Sequence, residues 1–426
     1  MRRHPFLFCA TAIGAAMFMA VSLASASQSE TAIYQFQPGT GDGYEPVAGV
    51  ISDAAGNLYG TTLFGGSACG TVGCGTVFEV TPTEGGTWTE SVLYSFLGSP
   101  DGAFPAGGLV FDKKGNLYGT TSGGGASRGG IIFELSPPTQ QGNPWTETVL
   151  YNFPSPNDGY FPVTLTIDNS GNLYGAEPGY PGSFGNVFEF SPPSGKRKSW
   201  TFTVLYQFLG GAQHDGTRPV GGLVYSVWGA IYGVTAAGGL GSGCNADGCG
   251  TVFQLAPQKN GSWKEKVLYM FTGESDGGVP VGLWLDRPIR TLYGATAIGG
   301  NSTSSGVVFE LGPQKGGGWL ESTLYSFGGA DGLSMPQAGV ITDAAGNVYG
   351  TTYLSTAGLG GVYELSPPQQ SGGAWTETTQ YQFTGGAGGG NGPSTLLLNG
   401  TQSSVYGTTE YGGQPSGGIV FELTLP

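Results

Sequence analysis

The acidic residues of this chain recur at fixed spacing, and the spacing bounds the chemistry open to them. Asp42, Asp101, Asp158, Asp215, Asp276 and Asp331 each precede a glycine, with Asn391 in the seventh place, and a proline follows each within a few residues. A ring of such carboxylates can attract cations or accept hydrogen bonds from sugar hydroxyls. Asp-Gly is equally a favoured turn pair, and a residue present in every copy ordinarily serves the repeat, so turn construction is the preferred reading. A second set, Asp53, Asp112, Asp168 and Asp343, stands in Asp-x-x-Gly-Asn. It lacks the further acidic ligands of a calcium loop and reads as a hairpin turn whose carboxylate bonds local backbone N–H groups. Repeated glutamates at Glu79, Glu134, Glu189, Glu310, Glu364 and Glu422 read as part of strand pairing. Catalytic acids ordinarily break a repeat, and three candidates do: Glu177 in copy three, Asp247 inside a cysteine loop, and Glu410 in copy seven, followed by Tyr411. Two of these can in principle act as the acid and base of a glycosidase, beside aromatics such as Tyr180, Phe184 and Tyr411. The ordinary alternative is solvated surface acids. His214, with Asp215 and Arg218, is the other unique cluster and reads as an exposed loop. With no His-Glu-x-x-His, zinc pattern or phosphate-binding loop, neither metal nor cofactor is expected.

These residues must be positioned by a repeat. Gly115-Asn116-Leu117-Tyr118-Gly119-Thr120-Thr121 has counterparts at Tyr59, Tyr174, Tyr232, Tyr293, Tyr349 and Tyr406, each followed by glycine, a period of roughly 58 residues. One unit holds four short strands, from Gly108 to Asp112, Asn116 to Thr121, Ile131 to Leu135 and Trp145 to Phe153, with no helical periodicity. In the fourth, Trp145, Glu147, Val149, Tyr151 and Phe153 alternate with Thr146, Thr148, Leu150 and Asn152, so the two sets are expected on opposite faces. Such a sheet needs neighbours on both faces, and seven of them satisfy one another as a seven-bladed β-propeller with four-stranded antiparallel blades. The loops between strands two and three then share one face with the connections between blades. Residues 31–36 match the end of a fourth strand, whereas Ile419 to Leu423 match a third, so the N-terminal strand is expected to complete the last blade and close the ring.

Glycine and proline, 82 and 27 of 426 residues, approach the composition of disordered chains, but aromatics recurring at fixed phase supply a core. Residues 1–26 read as a signal peptide: Arg2 and Arg3, an apolar stretch, then Ala24-Ser25-Ala26. Residues 27–426 are expected to form one exported domain without a membrane span. Without residues 1–26 the chain has 13 basic and 29 acidic residues, a net charge of −16, which argues against nucleic acid as a partner. Cys69 with Cys74, and Cys244 with Cys249, fall at one phase of the repeat and are expected to form two small disulfide loops.

Gly-Asn-Leu-Tyr-Gly-Thr-Thr at residues 56–62 and Gly-Thr-Val-Phe-Glu at residues 75–79, with their later copies, resemble the GloVer (Gloeo/Verruco) tandem-repeat family of exported bacterial proteins. The resemblance covers the whole chain after residue 26 and implies an extracellular or envelope setting. It brings no catalytic residue to carry over. Some relatives end in an anchoring tail, whereas Pro426 follows the last strand here, so release is expected. The expected function is a monomeric, non-enzymatic protein that binds a glycan or protein on its loop face or serves as a scaffold. A carbohydrate-active hydrolase or lyase is the alternative.

Overall fold

A computed structural model describes residues 30–426 except 141, 155–163, 180–182, 245–246, 287–289, 302, 329–331, 371 and 387–388. The expected signal peptide, Asp158, Tyr180 and Asp331 lie outside the described residues. Seven antiparallel sheets of short strands form the ring of a seven-bladed β-propeller, and the only helical turn among the described residues is the three-residue Gly211–Gln213. Blade 1 runs Ile51–Ser52, Leu58–Thr62, Thr76–Pro82 and Trp88–Ser95, paired in sequence order. Glu30–Gln35 pairs antiparallel with Ile419–Thr424, with Thr31 opposite Glu422, and so closes the ring.

The repeated motif explains itself residue by residue. Tyr59 donates to Glu79 at 2.6 Å and to Asp53 at 3.2 Å, at the end of the blade where strand one turns into strand two. Its glycine is a seat for a ring: Gly60 pairs with Phe78, and a Cβ at Gly60 would lie 2.5 Å from Phe78 Cζ. The same approach recurs at Gly119, Gly175, Gly233, Gly294 and Gly407 against Phe133, Phe188, Phe253, Phe309 and Phe421, and at Gly350 against Tyr363. The first threonine ties neighbouring blades, as Thr61 donates to Gly107 O at 3.2 Å and Thr408 to Ala48 O at 2.8 Å. The second holds its own loop: Thr62 donates to Phe64 O at 2.8 Å and accepts from Thr76 N at 3.2 Å.

The core is seven slabs, one at each seam between blades. A fully buried aromatic pair marks every seam: Phe96 against Phe133, Phe153 against Phe188, Phe208 against Phe253, Phe271 against Phe309, Phe327 against Tyr363, Phe383 against Phe421, and Phe36 against Phe78. Ring centroids stand 5.0 to 6.0 Å apart at 62 to 72°, the edge-to-face geometry that adds about 1 kcal/mol per pair beyond burial. The closing seam, supplied by Phe36, matches the other six.

One strand-level expectation is corrected. In blade 2 the pairing passes from Ile132 opposite Tyr151 to Phe133 opposite Val149, leaving Leu150 in a bulge. Trp145 and Val149 therefore pack into the slab between blades 1 and 2, whereas Tyr151 and Phe153 join Leu150 in the slab between blades 2 and 3, so the residues expected on one side divide at the bulge. Equivalent shifts occur between Val77 and Phe78, and between Val252 and Phe253.

Candidate functional site

The ring of Asp-Gly carboxylates is consumed by the scaffold wherever it is described. Asp42 Oδ2 accepts from Tyr34 Oη at 2.7 Å and Gln37 N at 2.9 Å, and Oδ1 from Gly43 N at 2.6 Å. Asp101 does the same with Tyr94, Leu97 N and Gly102 N, and Asp215 with Tyr206, Leu209 N and Gly216 N. Asp276 accepts from Tyr269 at 2.9 Å and Thr272 N at 2.9 Å. Each carboxylate thus fastens the end of one blade's outer strand to the start of the next blade, and Asp215 and Asp276 are buried. The second acid set builds hairpins: Asp53 accepts from Ala55 N, Asn57 N and Asn57 Nδ2, and Asp112, Asp168 and Asp343 repeat the pattern.

The three acids that break the repeat end up in different surroundings. Glu177 takes the place of a second threonine at the end of strand two and is only 3% exposed. It accepts from Asn186 Nδ2 at 2.5 Å, opposite it in the ladder, and burial pushes its carboxyl up to about 7. Asp247 is exposed in the second cysteine loop, where its carbonyl accepts from Gly238 N at 2.6 Å. The structure joins Cys69 to Cys74 and Cys244 to Cys249, with Cα atoms 5.4 and 5.3 Å apart. Cys74 O and Cys249 O accept from Phe104 N and Val279 N of the following blade, both at 2.8 Å, so each disulfide stiffens a loop that docks the next blade.

Glu410 alone of the three joins an open cluster. It lies on Ser404–Gly412 beside Tyr411, 40% exposed, whose hydroxyl is held well above its ordinary range first by the hydrogen bond to Glu410. A Cβ at Gly392 would lie 3.6 Å from Glu410 Cβ and 4.0 Å from Tyr353 Cε2, so Glu410 and the exposed Tyr353 of blade 6 flank that glycine. From blade 1 comes Glu45, whose carboxyl is raised by burial and then by repulsion from Glu410. Phe64 extends the surface, with ring centroids 5.5 Å from Tyr44 and 5.7 Å from Phe104. Two carboxylates and a run of aromatic side chains thus share the loop face over blades 6, 7 and 1.

Glu45, Tyr353 and Phe104 escaped the sequence reading, although a signal for two of them existed. The residue before the repeated proline varies from copy to copy, as Glu45, Phe104, Arg218, Val279 and Met335, yet all five hold a left-handed backbone at φ 55 to 59°. For a β-branched residue such as Val279 this is a strained conformation. Its cause is the seam: the N–H of Glu45, Phe104, Arg218, Val279 and Met335 each donates to a carbonyl of the preceding blade at 2.7 to 3.0 Å. Constant backbone with varied side chains on the loop face is what a recognition surface requires. His214 is exposed beside this position, in the turn after Gly211–Gln213. Among the described residues no cluster of three or more His, Cys, Asp or Glu side chains is arranged to hold a metal ion, and no helix is long and apolar enough to cross a membrane.

Fold and site together define a seven-bladed repeat propeller whose described repeated aspartates are bonded within the scaffold and whose loop face carries an acidic, aromatic patch. The chain belongs to the Gloeobacter/Verrucomicrobia repeat family, whose profile matches residues 19–246 and 229–426. No curated protein matches it in sequence. Among solved structures it is similar to a polysaccharide lyase described as an ulvanlyase, with a TM-score of 0.53 and 10% identity over 90% of this chain and 94% of that one. It is similar also to the polysaccharide lyase Uly1, with a TM-score of 0.52 and 10% identity over 92% and 91%. A gluconolactonase from Xanthomonas campestris aligns at a TM-score of 0.39 and 16% identity over 71% and 83%. At these identities the likeness is one of fold.

Proposed function

We propose that the protein is an exported propeller that binds a carbohydrate on the loop face over blades 6, 7 and 1 without transforming it. The carrying observation is that Glu410, Tyr411, Glu45 and Tyr353 depart from the repeat and converge on one open patch, whereas the repeated acids are spent on the scaffold. Exposed tyrosine rings offer apolar faces to sugar rings, and the carboxylates accept hydrogen bonds from hydroxyls. The basic start and apolar stretch of residues 1–26, and the two disulfides, support an exported setting. A glycan array on the protein lacking residues 1–26 should return ligands whose affinity falls at least about tenfold in Tyr411→Ala and Glu410→Gln. Ligands bound equally well by both variants would place the site elsewhere.

The Glu45–Glu410 pair favours a second reading. A carboxyl raised by burial and by a neighbouring charge is suited to donate a proton, and a second carboxyl group beside it is the pairing that a carbohydrate-active hydrolase or lyase uses. Release of reducing ends or unsaturated sugars from a polysaccharide panel, abolished in Glu45→Gln, would establish it over binding alone.

A further inference from the structure

The opposite face, where strand one turns into strand two and strand three into strand four, holds a cleft of about 780 Å³ between blades 2 and 3. Blade 2 lines it with Lys113 and Lys114, and blade 3 lines it with the exposed Asn169 and Ser170 and with a wall formed by Pro193 and Trp200. Three features set this seam apart from its repeat-mates. The turn carrying Lys113-Lys114 has Ala54-Ala55 and Ala344-Ala345 at the same place in blades 1 and 6. The segment joining Pro193 to Trp200 carries Lys196, Arg197 and Lys198, all exposed, so the rim of that wall is cationic. Lys113 Nζ donates to Asn169 O at 2.9 Å across the seam and so fixes one cation over the opening.

Three carboxylates also line the cleft, each engaged by hydrogen bonds within its own blade. Asp112 is held by Lys114 N and Asn116, Glu134 by Tyr118 and Ser136, and Asp168 by Ser170 N and Asn172. The pattern extends over the molecule. Every described lysine and arginine except Arg128 and Arg218 lies in the turns of this face or near the start of a fourth strand, although the chain after residue 26 is strongly acidic. Cations are therefore concentrated at this end, among carboxylates already bonded within their blades, whereas the Glu45–Glu410 patch lies at the other.

We propose that this cleft binds a short acidic oligosaccharide bearing carboxylate or sulfate groups, with Lys113, Lys114, Lys196 and Lys198 pairing its charges. The Trp200 wall lies against a sugar ring. A polyphosphate chain such as single-stranded nucleic acid fits less well, because its regularly spaced charges run beyond a single basic seam into a strongly anionic surface. This site is separate from the loop-face patch, so each can fail without the other.

The test is calorimetric titration of the protein lacking residues 1–26 with an oligogalacturonate, a sulfated oligosaccharide, a neutral cello-oligosaccharide of equal length and a short single-stranded DNA. Binding of at least one acidic oligosaccharide is expected. It should weaken about tenfold when Lys113 and Lys114 are both alanine, similarly when Lys196 and Lys198 are, and also on raising salt from low to physiological. The two arms of acidic sugar identify which anionic group is read. Lys113→Arg with Lys114→Arg should retain binding, and melting temperatures equal to the parent show that the variants are folded. No binding of either acidic oligosaccharide, equal affinity for the neutral one, tighter binding of DNA, or indifference to both lysine pairs would overturn the proposal.

Discussion

Single residues carry this fold through contacts that leave no room for alternatives. Gly233 lies under the Phe253 ring, where a Cβ would stand 2.5 Å from Cζ, and at Gly250, with φ +94°, a Cβ would stand 2.3 Å from Thr235 O of its own blade and 2.6 Å from Pro280 Cδ across the seam. Gly233→Ala should cost about 2 kcal/mol and Gly250→Ala more, since the latter adds backbone strain to the clash; denaturant titration measures both. An Asp215→Ala chain loses bonds from Tyr206, Leu209 N and Gly216 N at a buried site. It should be destabilised by about 2 to 3 kcal/mol, with affinity at Tyr411 unchanged, and weakened glycan binding at full stability would reassign the carboxylate to a ligand. The sequence already favoured turn construction for Asp215, because its Gly neighbour and its recurrence were visible. What it hid was the partner, since nothing local says that Tyr206 reaches the same carboxylate. Glu45 was hidden for the converse reason: it matters by differing from Phe104 and Arg218 at one phase, and its left-handed backbone shows only in three dimensions.

At the scale of elements, strands were legible where periodicity was unbroken and illegible where pairing slips. The N-terminal strand was placed from phase alone, and Glu30–Gln35 does pair with Ile419–Thr424. The bulge at Leu150 could not be read, because an apolar residue on either face of a strand buried between blades gives the same alternation. Closure makes that first strand worth more than its length. It supplies Phe36 to the seventh aromatic seam, Tyr34 to Asp42, and Glu30 to Tyr381 at 2.9 Å. Deleting residues 31–36 should therefore lower the melting temperature by about 10 °C or produce aggregates from the unpaired edge, as read by calorimetry and light scattering. An unchanged transition would mean that the ring is held without its clasp. The disulfides work on a smaller scale. Each spans a separation of 5 residues, so reduction should shift melting by only about 1 to 2 °C while loosening the loops that dock Phe104 and Val279.

Over the whole molecule, repetition turns a local oddity into a bulk property. Glu90, Glu147, Glu265 and Glu321 occupy one position of the outer strand and lie at seams beside Asp42, Asp101, Asp215 and Asp276. One oxygen of Glu90, Glu147 and Glu265 is buried without a hydrogen-bond partner. Burial is the first cause that pushes each of the four carboxyls up to about 7, and repulsion from the neighbouring aspartate adds to it. The folded chain therefore holds these protons at a pH where the unfolded chain has released them. Their contribution to stability is full below the ordinary value of 4.5, declines as the pH climbs toward about 7, and is lost above it. The net charge of −16 acts in the same direction. These side chains are partly open to solvent, so the shifts are discounted for screening, and the fall in melting temperature across that window should be about 5 °C rather than the tens of degrees that four fully buried charges would give. Replacing all four by glutamine should flatten the profile and raise the melting temperature on the alkaline side, because the neutral amide keeps the shape without a charge to bury. A profile as steep in the quadruple variant as in the parent would move the effect from the seams to the general surface charge, a distinction that differential scanning calorimetry at low and high salt would draw, since surface repulsion is screened and the seam carboxyls much less so.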